Sequence, residues 1–404
     1  MAQPRIVQPT PQEVPLRDDQ DFSLILGGPL YQLYLRTKLA RPPLQLLIRR
    51  EASFSLVCWL PLLVLAAAAG HLTGGVTVPF FRDPEVHIRF LLALPLLIAS
   101  EVYVHDRMRE VVRQFLSRGI MAAQDQARFE KLVASTMRLR NSLAAELVLL
   151  VLVLTLGHWV WKQSFTLDVP TWYQVNDGAG WHLTAGGWFY AFVSLAIFRF
   201  FLLRWYYRLF LWYRFLWKVR AMPLHFNLYH PDRAGGLGFL SGSCMAFAPV
   251  FVAQTMVVAG TIYSHILHEG ARLPSFKMEM AGIVLFAVLA VLLPLGFFAP
   301  QLERVARRAK IEFGGLASHY VDDFRSKWIE GRGRREEPLL GTSDIQSLAD
   351  LANSFTVISQ IRLVPISKEI LVRLVILVAL PLLPLTLTMI PLEEIVHRLF
   401  KLAF

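Results

Sequence analysis

The residues best suited to chemistry lie in one glycine-rich stretch near the middle of the chain, residues 227–242 (NLYHPDRAGGLGFLSG). His230 and Asp232 could bind a metal ion or exchange a proton, and Arg233 with neighbouring backbone N–H groups could surround an anion. Their spacing matches neither the zinc motif HExxH nor the phosphate-binding GxxxxGK[ST]. We therefore predict no metal site, no cofactor and no catalytic residue in this loop.

A structural role explains the same stretch more simply. Asp232 follows a proline, where its carboxylate can accept hydrogen bonds from the backbone of a tight turn. Two glycines allow the positive φ of such a turn, and two more begin a ladder of small residues that lets helices approach closely. We predict a structural or gating loop formed by His230, Asp232, Arg233, Gly235, Gly236, Gly238 and Gly242. A lock on the turn is favoured, and coupling of cytosolic helices to the membrane is the alternative.

A second group of candidates consists of polar residues within or beside apolar stretches, since polar groups in lipid commonly serve transport or helix pairing. No carboxylate is placed near mid-membrane, as a proton-coupled pump would need. The last apolar stretch contains prolines that would bend it. The candidate polar path for ions or solutes consists of Thr386, Thr388, Gln254, Thr261, Lys368, Glu369, Glu393 and Glu394. Helix–helix hydrogen bonding is the alternative role of its uncharged members.

The overall composition indicates a membrane protein. Of 404 residues, 55% are hydrophobic and only 18% are charged, which is too apolar for a soluble domain of this length. The net charge of +11 is distributed in basic blocks between apolar stretches, an arrangement that orients membrane proteins. Because no basic tract with a nucleic-acid-binding motif stands apart from these stretches, we expect no nucleic-acid partner.

Seven stretches are long and apolar enough to cross about 30 Å of hydrocarbon. They cover residues 52–72, 87–104, 142–161, 184–204, 242–266, 280–299 and 368–390. Lysine and arginine are concentrated in alternate connections, which places the N-terminus in the cytoplasm and the C-terminus outside. We predict an all-α polytopic protein of a plasma membrane, such as a bacterial inner membrane, with long cytosolic helical extensions.

The chain divides into four parts. In order they are a cytosolic tail and interfacial helix (1–50), a six-span region (51–300) with cytosolic helices at 105–140 and 205–221, a cytosolic helical segment (301–366), and the seventh span with a short external tail (367–404). A basic face of the fourth span and its extension includes Arg204 and Arg208. It could contact anionic lipid headgroups or pack against other cytosolic helices, and the pattern leaves both open.

Two strings, HPDRAGGLGFL and IRLVPISKEILVRLVILVALPLLPL, resemble segments of uncharacterised bacterial multipass membrane proteins. That resemblance implies no activity. In architecture alone, the seven spans, the cytoplasmic N-terminus and the long helix at 184–221 are similar to those of insect olfactory and gustatory receptors. The similarity implies an oligomeric cation channel with a pore along the last helix. The Tyr/Gln/Phe motif of that family is not found in the last span, so ligand gating and pore chemistry are not implied.

Taken together, these patterns predict an oligomeric channel or permeation protein whose path is lined mainly by the last helix. Its expected partners are a second copy of itself and anionic lipids at the cytosolic face. The alternative is a sensor or scaffold without transport, which binds anionic lipid or a protein through the basic cytosolic helices. An enzyme that uses the His230 and Asp232 loop is the least favoured alternative, and we predict that the protein is not an enzyme.

Overall fold

The computed structural model describes residues 22–42, 44–155, 169–176, 180–227, 229–331 and 343–389, and these residues are almost entirely helical. In chain order, the helices are α1 (Pro29–Arg36), α2 (Leu47–Ala68), α3 (Pro84–Ser117), α4 (Gln126–Arg140), α5 (Leu143–Leu154), α6 (Ala185–Val219), α7 (Leu237–Glu269), α8 (Leu273–Leu292), α9 (Ala299–Phe324), α10 (Ser343–Ser359) and α11 (Lys368–Thr388). Short 3-10 turns lie at Phe80–Arg82, Ala123–Asp125 and Leu295–Phe298, and a π-helical turn, Arg325–Ile329, follows α9 directly. Two short strands, β1 (Gln174–Asn176) and β2 (Trp181–Leu183), pair antiparallel.

Six of the described helices are long and apolar enough to cross a membrane: α2, α3, α6, α7, α8 and α11. An all-α multipass membrane protein is therefore what the structure shows. The third predicted span, 142–161, coincides with α5, which is a shorter apolar helix within the described residues. Part of that stretch, from residue 156 onward, lies outside the described residues. The seventh span and the sidedness of the termini stay predictions.

Three helices form the centre of the bundle. The six helices differ in how many residues are buried in the most apolar 18 residues of each helix. The buried share is 56% in α7, 50% in α3 and 44% in α6, and it is 22% or less in α2, α8 and α11. Helix α7 packs against α3, α8 and α11, and α3 also packs against α2 and α6. The less buried helices thus surround a core of α3, α6 and α7, with apolar faces that suit lipid.

Small residues explain how closely α7 approaches α3. A Cβ atom added to Gly242 would lie 3.3 Å from Val111 Cγ2, and one added to Gly260 would lie 3.2 Å from Ile88 Cδ1. Ala246 is fully buried between these two glycines. Of the predicted ladder of small residues, Gly242 and Ala246 therefore lie at a helix–helix contact, where they permit close backbone approach, whereas Gly238 lies against the Asp232 side chain.

The two ends of the bundle differ, and we name them by what they carry. The hairpin end consists of β1, β2 and the turn between α7 and α8. At this end Trp172 Nε1 donates a hydrogen bond to Asp83 Oδ2 over 2.9 Å, and Asp83 Oδ1 accepts from the backbone N–H groups in the first turn of α3. The extension end carries α4, α9 and α10. Asp344 anchors α10 on α9 by accepting from Lys327 Nζ and Trp328 Nε1, and these hydrogen bonds lower the pKa of its carboxyl.

Several predicted elements differ from those observed. The helix at 105–140 is two helices, because α3 continues from the membrane to Ser117 and α4 begins at Gln126. The long helix at 184–221 is observed as α6, with one π-helical turn over Tyr190–Ser194. At the prolines of the last span the winding changes, since Leu380–Thr388 is 3-10 helix, and the bend expected there stays a prediction. Proline lacks the N–H that an α-helical bond would use there.

The end of the expected cytosolic tail is packed into the protein. Phe22 is 2% exposed, and its ring centroid lies 5.0 Å from that of Phe215 on α6. Arg140 Nη1 donates to the carbonyl oxygen of Ser23 over 2.6 Å. Residues 22–28 are thus a buried strap across the extension end. Residues 1–21 lie outside the described residues.

Candidate functional site

The glycine-rich loop before α7 is organised by the Asp232 carboxylate. Its Oδ1 accepts from the backbone N–H groups of Ala234 (2.8 Å) and Gly236 (3.2 Å), and its Oδ2 accepts from Gly238 N–H (2.8 Å). Gly238 lies in the first turn of α7, where a helix leaves N–H groups without partners within the helix, and Ala234 and Gly236 lie in the loop just before it. His230 Nδ1 lies 3.1 Å from Asp232 Oδ1. The backbone N–H groups therefore form an anion nest, and the Asp232 carboxylate occupies the position that an external anion would take.

Steric constraints account for the glycines of this loop. Gly235 and Gly236 have φ of 65° and 91°, and a Cβ atom on Gly236 would also lie 2.9 Å from Ile120 Cδ1. A Cβ atom on Gly238 would lie 2.9 Å from the Asp232 side chain. Only glycine meets these requirements without strain. Among the residues described, no group of three or more His, Cys, Asp and Glu side chains is placed to hold a metal ion.

The loop is also joined to the segment that precedes the last helix. The carbonyl oxygen of Arg233, a residue with φ of 52°, accepts from the backbone N–H of Arg362 over 2.7 Å. Arg362 lies between α10 and α11. The loop thus closes its own turn through Asp232 and contacts the connection to α11 through Arg233, and its role in gating or coupling stays a prediction.

The residues of the predicted polar path do not lie together. Gln254 and Thr261 line a cavity between α6, α7 and α8, whereas Thr388 lines a separate groove beside Pro381 and Pro384. The hydroxyls of Thr386, Thr388 and Thr261 each donate to a carbonyl oxygen of their own helix. Lys368 and Glu369 form the first turn of α11. Glu393 and Glu394 lie outside the described residues.

The cavity that contains Gln254 and Thr261 has a volume of about 480 Å³ and lies toward the hairpin end. Its size falls within the range of about 300–1,000 Å³ that is common for small-molecule sites. The walls are mainly apolar, formed by Leu195, Phe198, Leu202, Val257, Val258, Ile262 and Phe276. Polar groups are few and are contributed by Arg89, Arg199, Gln254, Thr261, His265 and Glu279. An apolar chamber with a few polar groups is the usual form of a site for an organic ligand.

The two arginines of this cavity differ in their partners. Arg89 is buried, forms an ion pair with Glu85 and donates to Tyr190 Oη over 2.6 Å. Arg89 and Tyr190 both lie in π-helical turns, which are frequent at functional sites. Arg199 is half-buried and has no hydrogen bond or ion pair with any residue that the structure describes. Arg199 is therefore a cation of this cavity that makes no direct contact with a counter-charge among the described residues, although Glu85 and Glu279 lie nearby.

A cluster of buried charges lies nearer the extension end. Glu101 Oε1 on α3 accepts from Arg204 Nη1 (3.1 Å) and Arg208 Nη2 (2.9 Å) on α6, while Glu101 Oε2 lies 3.6 Å from Arg50 Nη2 on α2. Arg204 Nε is also 3.5 Å from Glu146 Oε1 on α5. All four arginine and glutamate side chains of the Glu101 group are at most 7% exposed. The cluster joins α2, α3, α5 and α6.

Two interpretations of the sequence are corrected by this cluster. Arg50 was assigned to a helix on the membrane surface, but it belongs to α2 and is fully buried. Contact with lipid headgroups is wrong for Arg204 and Arg208, which face Glu101 inside the bundle. Packing against other helices is the alternative that these two residues follow, because both pair with Glu101 on α3.

Comparison of the chain with protein-family models, with curated proteins and with solved structures finds no match.

Removal of the Asp232 carboxylate is expected to loosen the turn before α7. We expect Asp232→Ala to lower the free energy of unfolding by about 1–3 kcal/mol, because three backbone N–H groups lose their acceptor. Unfolding of the purified protein in mixed detergent micelles measures this change. His230→Ala, which leaves those three bonds in place, serves as the control, and equal effects of the two variants would contradict the assignment.

Neutralisation of Glu101 is expected to be more severe. Glu101→Gln leaves three buried arginines without their shared counter-charge, so we expect a loss of about 3–5 kcal/mol or failure to fold. Glu110→Gln changes an exposed glutamate on the same helix and should match wild type in yield and unfolding. If Glu101→Gln unfolded at the same denaturant concentration as Glu110→Gln, the cluster would not be the stabilising element proposed here.

Proposed function

We propose that this protein binds an amphipathic organic anion within the membrane, in the cavity between α6, α7 and α8. The observation that carries the proposal is the Arg199 guanidinium, which faces a mainly apolar chamber of about 480 Å³ and has no partner among the described residues. An ionisable group within a membrane helix is costly and usually serves a function. A carboxylate or phosphate group on the ligand would compensate its charge.

The position of the polar groups indicates how such a ligand would lie. Arg199 is about 21 Å along α6 from its first residue at the hairpin end, at 1.5 Å per residue. Gln254, whose Oε1 accepts from Tyr206 Oη over 2.5 Å, has an amide group left to donate to the ligand. The apolar body of the ligand would contact Phe198, Val258 and Ile262. Glu279, in the second turn of α8, keeps the anionic group on the α6 side of the cavity.

A matched series of ten-carbon amphiphiles tests this proposal in lipid nanodiscs. We expect decanoate to bind more tightly than decanol and decyltrimethylammonium, since only the anion pairs with Arg199. Arg199→Gln should weaken decanoate binding about 10-fold or more, the equivalent of one charge-assisted hydrogen bond, and Arg199→Lys should retain the preference for the anion. Calorimetric titration provides the affinities.

The control for this experiment is Arg272→Gln, which removes an exposed positive charge in the turn between α7 and α8. It should bind decanoate as wild type does. Equal affinity for the three amphiphiles, or equal loss of decanoate binding in the Arg272 and Arg199 variants, would overturn the proposal. A soluble aromatic carboxylate that competes with decanoate would identify a water-borne ligand, and competition only by phospholipid would identify a lipid.

A homo-oligomeric permeation protein is the second function we propose, and the position of α11 supports it. This helix packs against α7 and α8 at the edge of the bundle, and only 17% of its most apolar window is buried. Much of its surface is thus available to a second copy of the chain. In this proposal the N-terminus is cytoplasmic, the C-terminus is external and the membrane is a plasma membrane, as the alternating basic connections favour.

The oligomeric state tests the second proposal. Imaging of the protein in nanodiscs should show a closed symmetric ring with α11 near its axis, and planar bilayers containing the protein should conduct ions. Substitution of Leu383 or Leu387, both exposed on α11, by tryptophan should disrupt the ring. The matched control is Leu285→Trp on α8, also exposed. A monomer with wild-type decanoate binding would exclude the ring and leave the amphiphile site intact.

A further inference from the structure

The side chain of Arg50 is fully buried and yet forms no hydrogen bond. Its Nε, Nη1 and Nη2 atoms all lack an acceptor, and the closest carboxylate oxygen, Glu101 Oε2, lies 3.6 Å from Nη2. The Arg50 guanidinium also lies 5.2 Å from the centroid of the Tyr34 ring. Guanidinium groups are almost never left in this condition, because an unpaired donor in a protein interior costs free energy.

The surroundings of Arg50 increase the need for a negative partner. Glu101 is shared among the three arginines: its Oε1 accepts from Arg204 and Arg208, whereas its Oε2 has no hydrogen-bond partner and lies 3.6 Å from Arg50 Nη2, beyond hydrogen-bond distance. Glu146 is the next carboxylate, and its Oε2 accepts from the backbone N–H of Leu30. Positive side chains thus outnumber carboxylates in this cluster even without Arg140. Burial lowers the pKa of Arg140 to about 10, with the charge of Arg204 contributing, so Arg140 remains protonated at neutral pH.

Tyr34 supplies a second unused donor at the same place. Its hydroxyl is buried and has no hydrogen-bond partner, and the residue is 1% exposed. Tyr34 belongs to α1, which together with the strap at 22–28 covers the cluster at the extension end. A guanidinium and a phenol that both donate and both lack acceptors are suited to an anion. A metal ion fits less well, because the guanidinium of Arg50 is positively charged and has no lone pair to donate.

We infer that a small inorganic anion binds between Arg50 and Tyr34, beneath α1. A halide ion fits the enclosure better than phosphate does, because the two donor side chains are almost completely shielded from solvent. The anion would reduce the excess positive charge of the Glu101 cluster and fix α1 over the ends of α2 and α3. This inference is independent of the amphiphile site, which lies on the other side of the bundle centre, toward the hairpin end.

Thermal unfolding in the presence of chloride or gluconate, at constant ionic strength, tests this inference. Gluconate is too large for the enclosed position, so only chloride should raise the unfolding temperature, and it should do so with a saturable midpoint. Tryptophan fluorescence reports the transition, since the chain contains 10 tryptophans. Iodide soaked into crystals should give an anomalous peak between Arg50 and Tyr34.

Three variants make the result specific. Arg50→Gln should abolish the chloride dependence, whereas Arg49→Gln, an exposed neighbour on the same helix, should retain it. Tyr34→Phe removes only the phenolic donor, and we expect it to raise the chloride midpoint about 5- to 10-fold, the usual effect of one lost hydrogen bond. If Arg50→Gln failed to fold, the higher chloride midpoint of Tyr34→Phe and the anomalous iodide peak would still show whether an anion binds at this position.

Two results would overturn the inference. One is a wild-type protein whose unfolding temperature is the same in chloride and gluconate, which would mean that water alone occupies the position. The other is a chloride dependence of equal size in wild type and Arg50→Gln, which would mean that the chloride effect does not involve Arg50.

Discussion

The ion pairs of Glu101 are the interaction on which the rest of the structure depends. A carboxylate and three arginines buried in a membrane protein carry a desolvation cost of several kcal/mol per ion, and only close pairing offsets it. Because the arginines come from α2 and α6 and the carboxylate from α3, pairing sets both the rotation and the axial position of these three helices. Apolar packing alone would permit several such arrangements, since one leucine face resembles another.

Helix α7 is positioned without buried ion pairs of this kind. Its position depends on small residues along its length and on the turn before it. The Asp232 carboxylate satisfies the N–H groups at the start of the helix, and glycine and alanine along its length allow contact with α3. The side toward α6 and α8 is packed less closely near the hairpin end, where the cavity lies. The π-helical turns of α3 and α6 border this region and direct Arg89 and Tyr190 toward each other.

Much of the architecture could be predicted from the sequence, because it depends on local composition. Apolar stretches long enough to cross a membrane predicted the positions of the spans, and the turn chemistry of Asp232 and the glycines follows from the types of neighbouring residues. The burial of Arg50 could not be predicted in this way. The sequence pattern of a basic residue next to an apolar stretch is the same whether the side chain contacts lipid headgroups or a carboxylate that is distant in sequence. Glu101 is such a carboxylate, and pairing across different helices leaves no periodic signal.

The winding of the last helix has a consequence for the thickness of membrane that it matches. Twelve residues of α11 are α-helical and nine are 3-10 helical. At 1.5 and 2.0 Å per residue they extend about 36 Å, whereas a uniform α-helix of the same residues would extend about 32 Å. Proline at positions 381 and 384 thus lengthens the helix without adding residues. Hydrophobic mismatch is relieved by tilting, and α11 can tilt while still reaching both surfaces of the hydrocarbon layer.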